Sequence, residues 1–290
     1  MRTYADFLAG HFPGVKMQKL SVDAGFTCPN RDGTKGTGGC TYCNNRSFTP
    51  AYCNPSMSVA EQLTEGKRFF GRKYPSMRYL AYFQSYTSTH GESLDRLMTM
   101  FESVLEIDAV DGIVIGTRPD CMPQTLLNRL ATLPWVMIEY GAETSHDRTL
   151  GLINRHHTWA DTVDAVTRTH EAGLPVGLHL INGLPGESEA DILATADAVS
   201  CLPVDVVKFH QLQLLRGARI TADVESGRYD IIHFTPQSYA RLCATLVRRL
   251  RPDIAIDRFV SQAPADMLVY PRWGLKNYQF TEMVMKELRD

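Results

Sequence analysis

Long hydrophobic runs and a strong net charge are both missing from this sequence of 290 residues. No apolar stretch is long enough to cross a bilayer as a helix, so we expect no membrane-spanning helix. The first residues, MRTYADFLAGHFPG, lack the basic head and apolar stretch of a secretory signal, so we expect a cytoplasmic protein. The net charge of −2 excludes binding of nucleic acid by bulk charge, and leaves only a local basic patch for that purpose.

A second paired cysteine motif is also missing. Of seven cysteines, only Cys40 and Cys43 form a C-x2-C pair, in the stretch TCPNRDGTKGTGGCTYCNN, while Cys28 precedes them and Cys53 follows. Zinc sites made of four cysteines usually contain two such pairs. In a reducing compartment, clustered thiols indicate metal ligands or catalytic groups rather than disulfides.

Two metal sites remain open for this loop. Three thiolates can hold three irons of a four-iron cluster, which leaves the fourth iron free for a substrate or cofactor. The alternative is a structural zinc site with Cys53 as the fourth ligand. The spacing favours the cluster. The remaining cysteines are scattered among apolar residues, so we interpret them as small buried hydrophobic residues and expect no second cluster; they are Cys121, Cys201 and Cys243.

Strand and helix patterns alternate through most of the chain. Alternation of this kind predicts βαβ units around a parallel sheet. Six units are short of the eight in a full barrel, so we predict an α/β fold with a partial (β/α)6 TIM-type barrel. The predicted strands cover residues 16–23, 78–84, 112–117, 135–141, 174–181 and 204–215. The predicted helices cover residues 56–73, with Ser56 as the N-cap, then 94–105, 122–133, 158–172 and 189–200.

The rest of the chain predicts a C-terminal helical/β extension. Helices are expected over 236–250 and 275–288, with a short strand over 253–257. No linker-like segment separates this part from the barrel. We therefore predict a barrel over 1–215 and an extension over 216–290 that packs on the barrel and is not an independent domain.

The cysteine loop resembles that of radical S-adenosylmethionine (SAM) enzymes. The segments KLSVDAGFTCPNRDGTKGTGGCTYCNN, IEYGAETSHDRTLGLINRHHT, HLINGLPGE and VKFHQLQLLRG are similar, in order, to the YhcC/YtqA-like subgroup near the Elongator-like members. The resemblance covers nearly the whole chain. It implies a [4Fe–4S] cluster on Cys28, Cys40 and Cys43, with SAM on the open iron. It also implies an enzyme in which reductive cleavage of SAM gives a 5′-deoxyadenosyl radical that abstracts hydrogen from substrate.

The resemblance also suggests residues that bind SAM near the loop and the second strand. Tyr42, inside the C-x2-C pair, is expected near the adenine. Gln84 and Ser85 end the second predicted strand, where relatives bind the SAM amino group, although the Gly-Gly-Glu motif common there is replaced by FQSYT. Thr117 and Arg118 end the third strand and are weaker candidates, since Arg118 has Asp120 as a nearby partner.

Further candidates follow the later strands. Glu143 takes the place of a polar residue that binds the SAM ribose, and Arg155 that of a basic residue facing the SAM carboxylate. An ion pair at a helix start is the alternative for both. His179, on the fifth strand, is assigned to the pocket, with a buried structural role as the alternative. On the sixth strand, strict alternation allows either His210 or the pair Gln211 and Gln213 to face the substrate.

The substrate is left open between two classes. Resemblance to the Elongator-like group implies RNA, with modification of a tRNA wobble uridine as the suggested reaction, and a small metabolite is the alternative. An electron donor such as flavodoxin or ferredoxin is an expected partner, whereas a membrane is not. A basic region is predicted to contact an RNA backbone, with a solvated helix end as the alternative; it comprises Arg72, Lys73, Arg78, Arg248, Arg249, Arg251 and Arg258.

Overall fold

Ten strands are present in the computed structural model, which describes residues 1–47, 49–50, 52–54, 56–72 and 76–289. Eight of them form one parallel sheet in the order β1-β9-β7-β6-β5-β4-β3-β2, and β8 pairs with β10 in a separate antiparallel ribbon. The strands are β1 (Arg2–Thr3), β2 (Met17–Val22), β3 (Arg78–Phe83), β4 (Val110–Thr117), β5 (Val136–Glu143), β6 (Val176–Asn182), β7 (Val206–Gln211), β8 (Leu214–Leu215), β9 (Ala255–Arg258) and β10 (Leu268–Tyr270).

Helices connect most of the parallel strands. The helices are α1 (Tyr4–His11), α2 (Val59–Gly71), α3 (Leu94–Leu105), α4 (Gln124–Leu130), α5 (Asp147–Leu152), α6 (Trp159–Glu171), α7 (Glu189–Ser200), α8 (Arg219–Glu225), α9 (Pro236–Arg249) and α10 (Asn277–Arg289). The predicted partial barrel is confirmed, and the bounds predicted for α3 and α7 are those observed. Three short helices, α1, α5 and α8, were not predicted.

Both faces of the sheet are covered with apolar side chains, as its near-continuous apolar strands require. On β3, Ala81 and Phe83 pack in the main core under the outer helices, while Leu80 and Tyr82 point to the other face. There they contact α1, so this helix fills the barrel interior at the end where the strands begin.

Several predicted boundaries differ from the structure, two of them for a clear physical reason. Helix α2 is capped by Ser58, whose side chain accepts from the Glu61 N–H, and not by Ser56, which hydrogen-bonds Asn54. The capping-box partner Glu61 fixes the start two residues later than predicted. The predicted strand over 204–215 ends at Gln211, and its last residues form β8 in the second sheet. The predicted helix end at Lys73 lies outside the described residues.

The C-terminal extension contributes directly to the barrel. Strand β9 pairs in parallel with β7, and β1 pairs in parallel with β9, so the sheet has two more strands than the predicted six. Strand β9 corresponds to the short strand predicted over 253–257, whereas β1, with two residues, carries little signal in a sequence because its pairing is non-local. Within the described parts of the chain, no helix is long and apolar enough to cross a membrane.

Candidate functional site

A glycine-rich loop between β2 and α2 carries the four N-terminal cysteines. Gly38 and Gly39, directly before Cys40, have φ of +78° and +74°, which residues with a side chain disfavour. The loop is held by two amides: Asn30 Nδ2 donates to the Asn154 carbonyl at 2.8 Å, and Asn154 Nδ2 donates to the Gly39 carbonyl at 2.8 Å. The segment after α5 therefore fixes the cysteine loop over the strand ends.

Three of these cysteines share one cavity. Cys28, Cys40 and Cys43 line a space of about 240 Å³ at the carboxyl ends of the parallel strands. Burial, followed by the neighbouring thiols of Cys40 and Cys28, raises the pKa of Cys43 to about 12. A thiol with such a pKa keeps its proton at neutral pH until a metal displaces it. Cys53 lies apart from the cavity, where its Sγ donates to the Ser21 carbonyl at 2.9 Å.

The surroundings of the three thiols are compatible with a cluster. Within the described ranges, no three side chains of His, Cys, Asp or Glu are placed to hold one metal ion. In a cluster each thiolate binds a different iron, so the thiols need not meet at one point. Asn30 Nδ2 and Arg155 Nη1 lie 3.4 Å and 3.6 Å from Cys40 Sγ, as donors that support a thiolate ligand. The loop thus fits a [4Fe–4S] cluster.

A bulge at the end of β5 places Glu143 in the same cavity. The register between β5 and β6 shifts between Gly141 and Glu143, and Glu143 has φ +68°, a strained value for a residue with a side chain. Its carboxylate accepts a hydrogen bond from the Tyr42 hydroxyl at 2.8 Å and lies 3.4 Å from Arg155 Nη2. Two predicted SAM-binding residues, Tyr42 and Arg155, therefore both contact a third, Glu143.

Burial dominates the electrostatics of this group. It raises the pKa of Glu143, against the opposing effect of Arg155 and of the Tyr42 hydrogen bond. Arg155 donates to the Gly141 carbonyl at 2.6 Å, and its Nε is buried with no hydrogen-bond partner in the described structure. The ion pair foreseen as the alternative for Glu143 and Arg155 is present, yet both side chains line the cavity.

Of the four residues predicted to bind SAM at the ends of β3 and β4, all but Ser85 line the cavity. Gln84 lines the cavity and donates to Ser21 Oγ at 2.7 Å, whereas Ser85 is buried outside the cavity lining. Thr117 lines the cavity and hydrogen-bonds Thr89. Arg118 binds Asp120 through two hydrogen bonds of 2.9 Å and 2.8 Å, which confirms the pairing expected from sequence.

Four charged side chains, which we call the ionic floor, lie deeper in the barrel. Lys19 Nζ is 2.9 Å from Glu139 Oε1 and 2.6 Å from Asp257 Oδ2, and Lys208 Nζ is 3.4 Å from Glu139 Oε2. Burial alone would raise the pKa of Glu139, but Lys19 and Lys208 hold it well below its usual range. The sequence did not reveal this cluster, because its members lie on β2, β5, β7 and β9.

His179 contacts the ionic floor. Its Nε2 lies 2.7 Å from Glu139 Oε2, and burial together with the charge of Lys208 lowers the pKa of His179 to about 4. The side chain lines the cavity, so its predicted place in the pocket agrees with the geometry, and its partner also gives it a structural role.

Strict alternation predicts that either His210 or the two glutamines face the cavity, and the structure does not separate them in this way. Ser261 contacts all three: its Oγ lies at hydrogen-bond distance from His210 Nδ1, and its carbonyl accepts from Gln211 and Gln213 at 3.1 Å each. All three line the cavity. The prediction from alternation was wrong because the strand ends at Gln211.

The predicted basic region is dispersed. Arg249 pairs with Asp197, and Arg78 pairs with Asp111. The arginines after α9 and at the start of β3 lie where strands begin, at the opposite edge from the cysteine loop. Arg258 instead lines the cavity, and Lys73 lies outside the described residues. Arg258 therefore does not belong to one surface with the other arginines, and contact of the others with an RNA backbone stays a prediction.

The remaining cysteines differ from one another. Cys243 is buried as predicted, Cys121 is half-buried, and Cys201 is exposed at the C-cap of α7, so the prediction of burial was wrong for Cys201.

Comparisons with known proteins identify relatives that cover most of this chain. YtqA of Bacillus subtilis is 35% identical over 286 residues, covering 98% of this chain and 88% of YtqA. YhcC of Escherichia coli K12 is 37% identical over 264 residues, covering 90% of this chain and 83% of YhcC. A tRNA uridine(34) acetyltransferase of Dehalococcoides mccartyi is 27% identical over 169 residues, covering 57% of this chain and 36% of the acetyltransferase.

A solved structure shows the same fold. The archaeal Elp3 of Methanocaldococcus infernus, with its N-terminus deleted, superposes with a TM-score of 0.68 at 17% identity, covering 95% of this chain and 63% of that chain. The chain thus spans less than two thirds of that structure.

Two family models match almost the full length. The radical SAM superfamily model covers residues 31–199, and the model of the radical SAM C-terminal domain covers 204–290. Proteins of this family use a [4Fe–4S] cluster and S-adenosylmethionine, which confirms the expected cofactors. With three loop cysteines in a partial-barrel cavity and both models matched, the chain belongs to the radical SAM superfamily.

Proposed function

We propose that this protein is a radical SAM enzyme in which Cys28, Cys40 and Cys43 bind the cluster. The observation that carries this proposal is that the three thiols share one cavity with Glu143 and Arg155, while Cys53 is bonded elsewhere. The cluster and SAM, when bound, supply the 5′-deoxyadenosyl radical that abstracts a hydrogen atom from substrate.

The residues of the chain bind and orient SAM. Arg155, a fork of N–H donors with an unpartnered Nε, suits the SAM carboxylate. Glu143 would offer acceptor oxygens to the ribose hydroxyls, and Tyr42, which lines the same cavity, would contact the adenine. The strands of the barrel, together with helix α1, which fills the interior where the strands begin, limit the access of water to a reactive intermediate.

Anaerobic purification tests this function directly. We expect a brown protein with about four irons and four sulfides per chain, which releases 5′-deoxyadenosine from SAM after reduction. A colourless protein with stoichiometric zinc and no SAM cleavage would contradict the proposal.

A tRNA wobble uridine is the first candidate substrate. It is supported by the partial similarity to the tRNA uridine(34) acetyltransferase. We expect mass spectrometry of tRNA nucleosides from a deletion strain to show one modified uridine missing. An unchanged nucleoside profile would remove this candidate and leave the SAM chemistry intact.

A small metabolite is the second candidate, and the cavity itself favours it. The side chains of Lys208 and Arg258 line the cavity inside the barrel. Their charges are therefore directed at a molecule that enters the cavity and are not part of an open surface. Untargeted metabolite profiling of the same deletion strain should then reveal an accumulated compound while tRNA nucleosides stay constant.

An electron donor is required in either case, because radical SAM enzymes need a reductant. We propose flavodoxin or ferredoxin for this role. Reduced flavodoxin should support SAM cleavage in place of dithionite, and its failure together with that of ferredoxin would point to another donor.

A further inference from the structure

Arg258 is a cation inside the cavity whose charge is not matched by a carboxylate. It ends β9, is half-buried and lines the cavity. Three other cations of the lining have acidic partners: Arg118 lies 2.8 Å from Asp120, Arg155 3.4 Å from Glu143, and Lys208 3.4 Å from Glu139. Arg31, which also borders the cavity, is exposed and lies over the Tyr86 ring, 5.5 Å from its centroid, whereas Arg258 is half-buried. No carboxylate among the described residues lies within ion-pair distance of Arg258. Its neighbour Asp257 is bound to Lys19 instead.

A second unmatched donor stands beside Arg258. Its Nη2 lies 3.4 Å from His210 Nδ1. Ser261 Oγ lies at hydrogen-bond distance from the same nitrogen. A guanidinium can only donate and a hydroxyl can donate as well, so an accepting Nδ1 satisfies both contacts and places the ring proton of the neutral imidazole on Nε2. His210 Nε2 and Arg258 Nε are both buried and have no hydrogen-bond partner in the described structure. Leaving a buried donor unpaired costs about 1–3 kcal/mol, so two adjacent ones indicate a missing acceptor.

We propose that Arg258 and His210 form a subsite for a terminal oxyanion of the substrate, either a carboxylate or a phosphate monoester. A group of this kind supplies the negative charge that Arg258 lacks and the acceptor oxygens that both N–H groups lack. The subsite lies at the ends of β7 and β9, apart from the Arg155 and Glu143 pair. This inference rests on the proposed function, because the oxyanion belongs to the molecule on which the radical acts.

The shape of the barrel restricts the size of that molecule. Helix α1 closes the interior below the subsite, with Phe7 and Leu8 packed against Leu80 and Tyr82. A phosphodiester within a polymer continues in both directions, and this closed end gives it no exit. A terminal oxyanion has chain on one side only, so it can enter from the open end where the strands finish.

Histidine NMR of the cluster-loaded full chain tests the subsite with acetate and inorganic phosphate as separate probes. The imidazole signal of His210 is assigned by its loss in His210→Gln. At constant ionic strength, maintained with chloride, we expect saturable movement of this signal with at least one probe. If acetate binds more tightly than phosphate, the substrate carries a carboxylate. If phosphate binds more tightly, the substrate carries a phosphate monoester.

Matched variants identify the cation responsible. Arg258→Gln should weaken the response at least tenfold, and Arg258→Lys, which keeps the charge and loses the fork, should weaken it less. Arg68→Gln, on the exposed face of α2, should respond like the unaltered protein. If Arg258→Gln fails to fold, the decision rests on Arg258→Lys, which must differ from the unaltered protein by at least twofold.

Two results would overturn the subsite. One is an unchanged response in Arg258→Gln, and the other is no saturable movement of the His210 signal with either probe. SAM cleavage is measured on the same samples. Cleavage without an anion response removes the subsite alone, whereas a protein that never cleaves SAM removes the proposed function.

Discussion

Gly141 lies against two of the predicted SAM-binding side chains, Arg155 and Glu143. A Cβ atom at this position would lie 2.6 Å from Arg155 Nη2 and 2.7 Å from Glu143 Oε1. Real Cβ atoms do not approach other atoms so closely, so any side chain here displaces the pair. Only glycine leaves room for the Arg155 and Glu143 side chains to lie over the end of β5 at their observed separation of 3.4 Å.

Gly141→Ala should therefore weaken SAM binding. We expect a loss of about tenfold or more, equal to ~1.4 kcal/mol, measured by equilibrium dialysis with labelled SAM. Gly151→Ala is the matched control, because a Cβ there meets nothing within 4 Å. Equal affinities of the two variants would show that the Arg155 and Glu143 pair does not bind SAM.

The hydrogen bonds of Cys40 and Cys53 distinguish a predicted cluster ligand from a thiol with another role. Cys40 Sγ receives two donors beside the cavity, whereas Cys53 Sγ donates to a carbonyl of β2. A thiol bonded in that way behaves as a small buried residue.

Cys40→Ala should abolish both the cluster and SAM cleavage, while Cys53→Ala keeps the cluster. The measurement is iron and sulfide content with the visible absorption of the anaerobic protein. Loss of iron from Cys53→Ala would restore a role for the fourth cysteine as a ligand.

At the scale of the element, helix α2 shows what local sequence decides. Ser58 and Glu61 form a capping box, in which the Ser58 N–H also donates to Glu61 Oε2 at 2.7 Å. Ser56, two residues earlier, is exposed and bonded only to Asn54 among the described contacts. Both serines are compatible with a helix start, and the glutamate three residues further on selects Ser58.

Ser58→Ala should lower the free energy of unfolding by about 1 kcal/mol, because it removes the N-cap acceptor. Ser56→Ala should change it by less than about 0.5 kcal/mol, as expected for a surface substitution. Urea unfolding of both variants provides the measurement. A larger loss for Ser56→Ala would place the functional cap at the predicted position and not at the observed one.

At the scale of the whole molecule, the ionic floor joins strands from distant parts of the sheet. Strand β2 is at one edge, and β9 lies next to the other edge. Lys19 on β2 reaches Asp257 on β9 and Glu139 on β5, so it spans the barrel interior. Buried charges of this kind are costly when a single partner is removed.

Glu139→Gln should destabilise the fold by about 3–5 kcal/mol, since Lys208 then loses its nearest carboxylate in the interior. Glu65→Gln removes the exposed pair with Arg68 and should cost less than about 1 kcal/mol. Urea unfolding compares the two. A loss below about 1 kcal/mol for Glu139→Gln would show that the floor contributes little to stability.

Stability should also fall as the pH is lowered, in part through His179. Its pKa is lowered to about 4 by burial and Lys208, against an unfolded value of 6.5, so between these values the unfolded chain binds a proton that the native protein does not. From about pH 7 to about pH 5.5 this residue removes roughly 1 kcal/mol.

His179→Gln should reduce the pH dependence by that amount. Burial also lowers the pKa values of His157 and His210, so the unaltered protein keeps a slope in the same direction. Urea unfolding at both pH values isolates the contribution of His179. Identical slopes in the two proteins would contradict it.

The sequence by itself determined the repeating units and the position of the cysteine loop. Strands covered on both faces are near-continuously apolar, and long amphipathic helices such as α3 and α7 carry their own period, so both are visible locally. The loop cysteines were found because their spacing and glycine content are local as well. The family resemblance extended this information to Glu143 and Arg155.

Only the tertiary structure decided which side chains meet in the interior of the barrel. The ionic floor, the bulge that turns Glu143 into the cavity, and the convergence of His210 and Arg258 all join residues that are far apart in sequence. Arg258 looked like part of a basic surface because a sequence shows its charge and not its direction. Its place beside an unpaired imidazole follows from the pairing of β9 with β7, which is a property of the whole sheet and of no single segment.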